Sequence, residues 1–313
     1  MSTIHILCAA NDAYGAYCGL MLTSLLQNNR RHVVHIYILS SDMGQSNRLR
    51  FDTLAQQYHQ HIAILPIDSS DYSMLPIGSR FSNISVEAYF RLKAPSLLPQ
   101  CDRVLYLDCD MVVCGDLEAL WNTDLSNYAM AAVPDTTLML HKCFPRLGYP
   151  MQDGYFNSGM CLFNLDYMRQ MDFENRVRDF MQHHVDKILF HDQDILNVVC
   201  RGHIKAVSPR WNLLECFLRK NPPIVEWQKE ELLQCRFNPI IIHYASLRKP
   251  WFKECVNPYK HIFWSYVEQS PWSDLKPRYK YNGWKRFYKH HLKQFFKSLV
   301  APFGGGRYIR VPF

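Results

Sequence analysis

Three observations predict an α/β fold built on a mostly parallel, doubly wound sheet. Apolar runs of strand length alternate with stretches of helical spacing through the first third of the chain. Their order is strand–helix–strand–helix–strand, which makes neighbouring strands parallel because each crossover returns the chain to the same edge. Polar and acidic residues gather at the carboxyl ends of these runs, where open α/β sheets hold their ligands.

Taken in order, TIHILCA at Thr3–Ala9 reads as a buried strand and is followed by a helix over Ala13–Gln27. HVVHIYILS at His32–Ser40 is the second strand, a helix spans Gln45–Gln57, and HIAILP at His61–Pro66 is the third strand. RVLYLD at Arg103–Asp108 ends in an acidic triplet, and Tyr128–Pro134, Tyr155–Leu165 and Ile240–Tyr244 complete the predicted strands. Asn11 and Asp12, Asp108 to Asp110, and His243 all stand at strand ends, so one crevice can collect them.

Composition bounds the class. Of 313 residues, 48% are hydrophobic and 20% charged, enough apolar material for a large core and too little charge for disorder. No run of about 18 apolar residues occurs and the start carries no basic, then apolar, leader, so neither a membrane span nor a signal peptide is expected. The eleven cysteines are odd in number, lie mostly in apolar runs and form no CxxC pair. They read as reduced, buried thiols of a cytoplasmic protein, with a structural zinc site as the alternative.

The net charge of +7 is unevenly placed. From Lys276 onward there are ten basic residues and no acidic one, which leaves 25 basic against 28 acidic before it. A near-neutral body at 1–270 therefore carries a basic, aromatic-rich segment at 271–313, with Pro271 and Pro277 near the boundary. In that segment Trp284, Phe287, Tyr288, His291, Leu292, Phe295, Phe296 and Leu299 recur every three or four residues, with Arg286, Lys289, Lys293 and Lys297 opposite. An amphipathic helix of this kind suits an anionic membrane surface; packing of its stripe on the body is the alternative, and nucleic acid is not expected as a partner. The expected location is the cytoplasmic side of the membrane, held peripherally.

Asp108–Cys109–Asp110 is a DxD triplet leaving an apolar strand. At ordinary aspartate frequency about one such triplet arises by chance in a chain this long, and Asp192–Gln193–Asp194 is a second. Position separates them: two carboxylates where a strand turns away can both face a crevice and hold a hard divalent cation against a diphosphate. An imidazole among the ligands, for which His243 is the candidate, tilts the preference towards Mn²⁺ over Mg²⁺, although a lone histidine after a strand is commonly structural.

Six blocks then carry a resemblance. CAANDAYGAY, AYFRLKAPSLLP, DRVLYLDCDMVVCGDLEALW, YFNSGMCLFNL, HDQDILN and HYASLRKPW, in this order over most of residues 3–255, resemble glycosyltransferase family 8, in particular bacterial lipopolysaccharide and lipooligosaccharide galactosyl- and glucosyltransferases. The resemblance implies a GT-A-type nucleotide-sugar fold, a Mn²⁺ ion, a UDP-hexose donor (galactose or glucose), a glycan or lipid-linked saccharide acceptor, and retention of anomeric configuration. It makes Asp108, Asp110 and His243 the metal ligands and Lys249 a diphosphate contact. Arg91 lies near the donor sugar and diphosphate, and Ala9, Ala10, Asn11, Asp12 and Tyr14 form the loop around uracil and ribose. Cys109 and Ser246 are further donor-side positions, Asn157 and Ser158 line the donor sugar, and Asp192 and Gln193 sit over its hydroxyls and anomeric carbon.

Each has a plainer reading: an exposed helix arginine for Arg91, a strand-end residue for Asn157, a helix cap for Asp192. Two departures stand out. The family commonly has an acidic residue at Asn11, and glycine where Ser246 stands. Gln193 is a poor nucleophile, so same-face substitution is favoured over double displacement, with the departing UDP oxygen taking the acceptor's proton. The competing readings are an inactive sugar-nucleotide-binding scaffold and a metal-dependent nucleotidyltransferase or phosphodiesterase.

Overall fold

The computed structural model describes residues 3–72, 75–76, 85–136, 140–222, 229–280 and 308–309. Strands β1 (Thr3–Ala9), β2 (Val33–Ser40) and β3 (His61–Pro66) run parallel in adjacent positions, separated by helices at Gly15–Asn28 and Gln45–Tyr58, as the alternating pattern predicts. The other strands are β4 (Arg103–Leu107), β5 (Met111–Val113), β6 (Met130–Pro134), β7 (Phe156–Asn164), β8 (Ile204–Ala206), β9 (Leu213–Leu214) and β10 (Ile241–His243).

The main sheet has the order β3-β2-β1-β4-β7-β6-β8. It is parallel except at β7, which runs antiparallel to both β4 and β6. Side chains alternate between its two faces. From β4, Leu105 and Leu107 enter one core while Val104 and Tyr106 enter the other; from β7, Met160 and Leu162 oppose Cys161 and Phe163. Both faces are covered, which is why the strands read as continuous apolar runs.

One expectation needs correcting. His243 does not end a strand of the main sheet: β10 belongs to a separate three-stranded sheet, order β5-β10-β9. There β10 pairs antiparallel with β5, placing His243 opposite Met111, the residue after the acidic triplet. β10 shows in the sequence as an apolar run, but β5 and β9, of three and two residues, have no periodicity to read, so the sheet they form with it does not.

The packed body continues past Ser270 to at least Lys280. Trp272 is buried over Gly19, where a Cβ would stand 2.1 Å from its ring, and its Nε1 donates to Asn47 Oδ1 at 2.8 Å. Arg50 pairs with Asp274 through both terminal nitrogens, and Arg278 exchanges backbone bonds with Trp251 and Lys253. Further on, Ile309 N donates to Leu218 O at 3.0 Å. The expected stripe from Trp284 to Leu299 lies outside the described residues. Among the described residues no helix is long and apolar enough to cross a membrane. All eleven cysteines are free thiols.

Candidate donor and metal site

The main sheet and the small sheet meet at the triplet. Asp108 N donates to Gly159 O on β7 at 2.8 Å, and Tyr244 N donates to Asp110 O at 3.0 Å, so backbone bonds clamp the triplet on both sides. His243 Nε2 then lies 3.2 Å from Asp110 Oδ1 and 3.9 Å from Asp108 Oδ2. Ligand atoms of the three side chains fall within 4.8 Å of one another. Lys249 Nζ bonds Asp110 Oδ2 and also donates to Tyr244 O at 3.0 Å. Burial works to raise the Asp110 pKa, but Lys249 and His243 outweigh it and hold the carboxyl below the ordinary range.

The donor set fits a hard divalent cation: two carboxylates and one imidazole converge, and the other ring nitrogen of His243 is engaged by Asn212 Oδ1 at 2.9 Å. Gly159 makes room for this. A Cβ there would stand 2.4 Å from His243 Cε1 and 2.9 Å from Asp108 Oδ2. A second cluster, His32, Asp116 and Glu118, also has ligand atoms within 4.8 Å. Arg31 lies 2.8 Å from each of its carboxylates, so a cation already neutralises them.

Behind the triplet sits Arg91, only 3% exposed, so the exposed-arginine reading does not hold. Its guanidinium stacks 3.8 Å from the centre of the Tyr106 ring. It donates to Ala88 O at 2.9 Å, Ser158 O at 2.6 Å and Asp108 Oδ1 at 2.8 Å, and lies 3.3 Å from Asp192 Oδ2. That last contact lacks hydrogen-bond geometry, since the same Nε is committed to Ala88. Asp192 Oδ2 is thus a buried carboxylate oxygen without a hydrogen bond. Burial raises the Asp192 pKa, and Arg91 opposes the rise only in part.

The His191–Val199 helix has no side-chain cap at Phe190, so the cap reading of Asp192 does not hold. The turn before the helix is held by the other acid of the second triplet. Asp194 Oδ2 accepts from Leu189 N and Phe190 N at 2.7 Å each, ahead of the His191–Val199 helix, and Arg146 pairs with it through both terminal nitrogens. Asp192 and Asp194 therefore divide the work: one faces Arg91 and the other holds the turn that leads into the helix.

Asn157 and Gln193 meet, with Asn157 Nδ2 donating to Gln193 Oε1 at 3.1 Å. Gln193 Nε2 donates to Asp135 Oδ2 at 3.1 Å. The Asn11–Tyr14 turn lies at the end of β1, where Asn11 Oδ1 accepts from Tyr14 N at 3.0 Å. Ala10 N pairs with Leu39 O, and Cys109 Sγ donates to Ala9 O at 3.2 Å, joining this loop to the triplet. Tyr14 is pushed up to about 12 by burial and by Asp110.

The two departures have local explanations. Asn11 Nδ2 donates to Glu87 Oε2 at 3.3 Å, so an acid at half-buried position 11 would face the buried acid Glu87. The Ser246 hydroxyl oxygen accepts from Arg248 N at 3.3 Å, serving the turn between His243 and Lys249. Asp12 accepts from Gly44 N at 2.9 Å and Asn47 Nδ2 at 2.8 Å, tying its loop to the start of the Gln45–Tyr58 helix.

With this geometry in place, residues 5–255 match the family described as Glycosyl transferase family 8. The chain belongs to that family. Relatives include General stress protein A of Bacillus subtilis strain 168, 27% identical over 278 residues, covering 87% of this chain and 96% of that protein. Lipopolysaccharide 1,2-glucosyltransferase of Escherichia coli K12 is 28% identical, covering 93% and 88% respectively. Among solved structures, galactosyltransferase LgtC in complex with donor and acceptor sugar analogues superposes with a TM-score of 0.76 at 22% identity, covering 91% of this chain and all of that one. The fold of this family 8 member, an α/β sheet that is mostly parallel, is accordingly of the GT-A kind.

Three residues at the candidate site lie outside the set read from the sequence. Gly159 had a signal, because a glycine inside a buried strand marks close approach. Asp135 had one too, following β6 as Asp108 follows β4. Asn212 had none; a helical turn over Pro209–Trp211 and the two-residue β9 bring it to His243.

Proposed function

We propose that this family 8 protein is a retaining, Mn²⁺-dependent hexosyltransferase that moves galactose or glucose from a UDP-sugar to a glycan acceptor in lipopolysaccharide or other surface-polysaccharide synthesis. The observation that carries the reading is the meeting of half-buried Asp108 with buried Asp110 and His243 beside Arg91, Lys249 and the Asp192 oxygen that has no hydrogen bond. Lipopolysaccharide 1,2-glucosyltransferase of Escherichia coli and lipopolysaccharide 1,3-galactosyltransferase of Salmonella typhimurium, 26% identical over 82% of this chain, supply the acceptor class.

In this reading Asp108, Asp110 and His243 hold the cation; the imidazole favours Mn²⁺, with Mg²⁺ as the alternative. When bound, the ion supplies Lewis-acid neutralisation of the diphosphate charge. The chain's own residues do the rest. Lys249 leaves Asp110 for the diphosphate, to which it brings a compact positive charge. Asp192 Oδ2 accepts from a donor-sugar hydroxyl, which gives this buried oxygen its missing hydrogen bond. Asn157 and Gln193 line the same sugar, and the loop from Ala9 to Tyr14 holds uridine. The acceptor hydroxyl attacks the anomeric carbon on the face that UDP leaves, and its proton passes to the departing diphosphate oxygen.

UDP release from a panel of UDP-hexoses, without acceptor and with Mn²⁺ or EDTA, tests the class. Slow Mn²⁺-dependent release from one donor, lost in Asp110→Asn, supports it and names the sugar. Absence of both release and UDP-sugar binding supports a scaffold instead, and UMP in place of UDP a phosphodiesterase.

The basic segment extends the reading to an anionic membrane surface where lipid-linked acceptors are presented, on its cytoplasmic side. Because residues to Lys280 and residues 308–309 pack on the body, the truncation is an internal one that removes residues 281–307. The truncated protein is expected to lose binding to anionic vesicles and keep UDP release; unchanged vesicle binding removes the assignment.

A further inference from the structure

We infer that Asn212 is a positioning residue that sets which ring nitrogen of His243 is left for the cation, and that it ties this choice to the sugar-facing amides. The inference rests on reading Asp108, Asp110 and His243 as a metal site. Asn212 is fully buried. Its Oδ1 stands 2.9 Å from His243 Nδ1 and its Nδ2 donates to Asn157 Oδ1 at 2.8 Å.

An amide can be placed either way round, so its direction needs an independent anchor. Two backbone N–H groups provide it, because they can only donate. Gly159 N donates to Asn157 Oδ1 at 3.0 Å, and Ser158 N donates to Gln193 Oε1 at 3.2 Å. Asn157 therefore presents its oxygen to Asn212 and its nitrogen to Gln193. Asn212 must then turn its nitrogen to Asn157 and its oxygen to His243. That oxygen can only accept, which makes His243 Nδ1 the hydrogen-bearing nitrogen and leaves Nε2 facing Asp108 and Asp110.

The result is one line of donors running from His243 through Asn212, Asn157 and Gln193 to the Asp135 carboxylate. Reversing any one amide would set donor against donor in a buried place, where an unmet polar group is costly. Asn212 is the link with a function at each end: it accepts from the metal ligand and donates towards the sugar pocket.

Asn212→Ala and Asn212→Asp separate these two functions. Aspartate keeps an acceptor for His243 Nδ1–H and cannot donate to Asn157, whereas alanine does neither. Mn²⁺ affinity is measured by electron paramagnetic resonance of free Mn²⁺, and the His243 Nδ1–H proton by ¹⁵N-edited NMR of the metal-free chain. Thermal unfolding shows that each variant is folded. Asn212→Ala is expected to weaken Mn²⁺ binding about 10–100-fold, the usual cost of removing a group that orients a ligand, and to lose the protected Nδ1–H signal. Asn212→Asp is expected to keep the signal and bind Mn²⁺ at least as tightly as wild type, while UDP release falls. Equal loss of metal affinity in both variants, or an unchanged Nδ1–H signal in Asn212→Ala, overturns the proposal. If wild type binds no Mn²⁺, the metal reading fails by itself. The Nδ1–H signal then decides Asn212 alone: lost in alanine and kept in aspartate supports it, and unchanged in alanine overturns it.

Discussion

Gly159 and His243 are in such close approach that a Cβ on residue 159 would lie 2.4 Å from Cε1 of the imidazole. The same carbon would stand 2.9 Å from Asp108 Oδ2, so no single shift relieves both contacts. Gly159→Ala is therefore expected to displace His243 or Asp108 and to weaken Mn²⁺ binding by at least about tenfold. Overpacking adds a loss of about 1–3 kcal/mol in stability. Calorimetric Mn²⁺ titration and thermal unfolding check the two effects; wild-type affinity in the variant would show that the strand carrying Gly159 can move away.

Lys249 supplies positive charge to the carboxylates in the metal-free chain. Its pairing with Asp110 holds that carboxyl below the ordinary range. The associated stability is present above the unfolded pKa of about 4 and is lost as pH falls towards the depressed folded value. Lys249→Met is expected to lower stability by on the order of 1–3 kcal/mol near neutrality and by less at about pH 3. Saturating Mn²⁺ should restore much of the loss, because it returns a cation to Asp110. A deficit independent of both pH and Mn²⁺ would mean that Lys249 acts through packing.

Asp192 behaves in the opposite sense. Its folded pKa is raised by burial, so its contribution is most favourable below the unfolded pKa and is lost as pH rises through the folded one. Asp192→Asn removes that loss. Relative to wild type, the variant should gain stability between about pH 4 and pH 7 while UDP release collapses. Thermal melts at the two pH values with EDTA present, beside a UDP-release assay, would show a variant whose fold improves as its activity disappears. A stability difference that stays constant with pH would contradict the raised pKa.

Arg91 is the most heavily committed cation of the site. It faces Asp108 and Asp192 and donates to two backbone carbonyls. Arg91→Met leaves two carboxylates without their partner and is expected to cost about 3–5 kcal/mol. Arg91→Lys should recover only part of this, because one ammonium cannot reach the partners that the planar fork spans. Urea denaturation of both variants gives the comparison; full recovery by lysine would show that charge alone is required.

Much of this was legible in the chain. β1 and β2 read as strands because they are apolar runs buried inside the sheet, and β3 because it is an apolar run at its edge; helical stretches separate all three, and Asp108 stood out because it closes a buried run. Other features were not. The reversed direction of β7 leaves no trace, since a buried apolar run reads alike either way. The two DxD triplets look equivalent on paper, yet Asp194 holds the turn before a helix through Leu189 and Phe190 while Asp192 faces Arg91.

Local patterning by itself determined the first strands and helices, the acidic strand end and the placing of all excess positive charge beyond residue 275, because these depend on neighbours along the chain. Tertiary structure alone decided that Arg91 is buried between two carboxylates, that His243 reaches the triplet through a second sheet, and that Asn212 holds the imidazole. Those relationships join residues 17 to 135 positions apart. Their distances are set by how sheets and helices pack, a property that no spacing within one segment encodes.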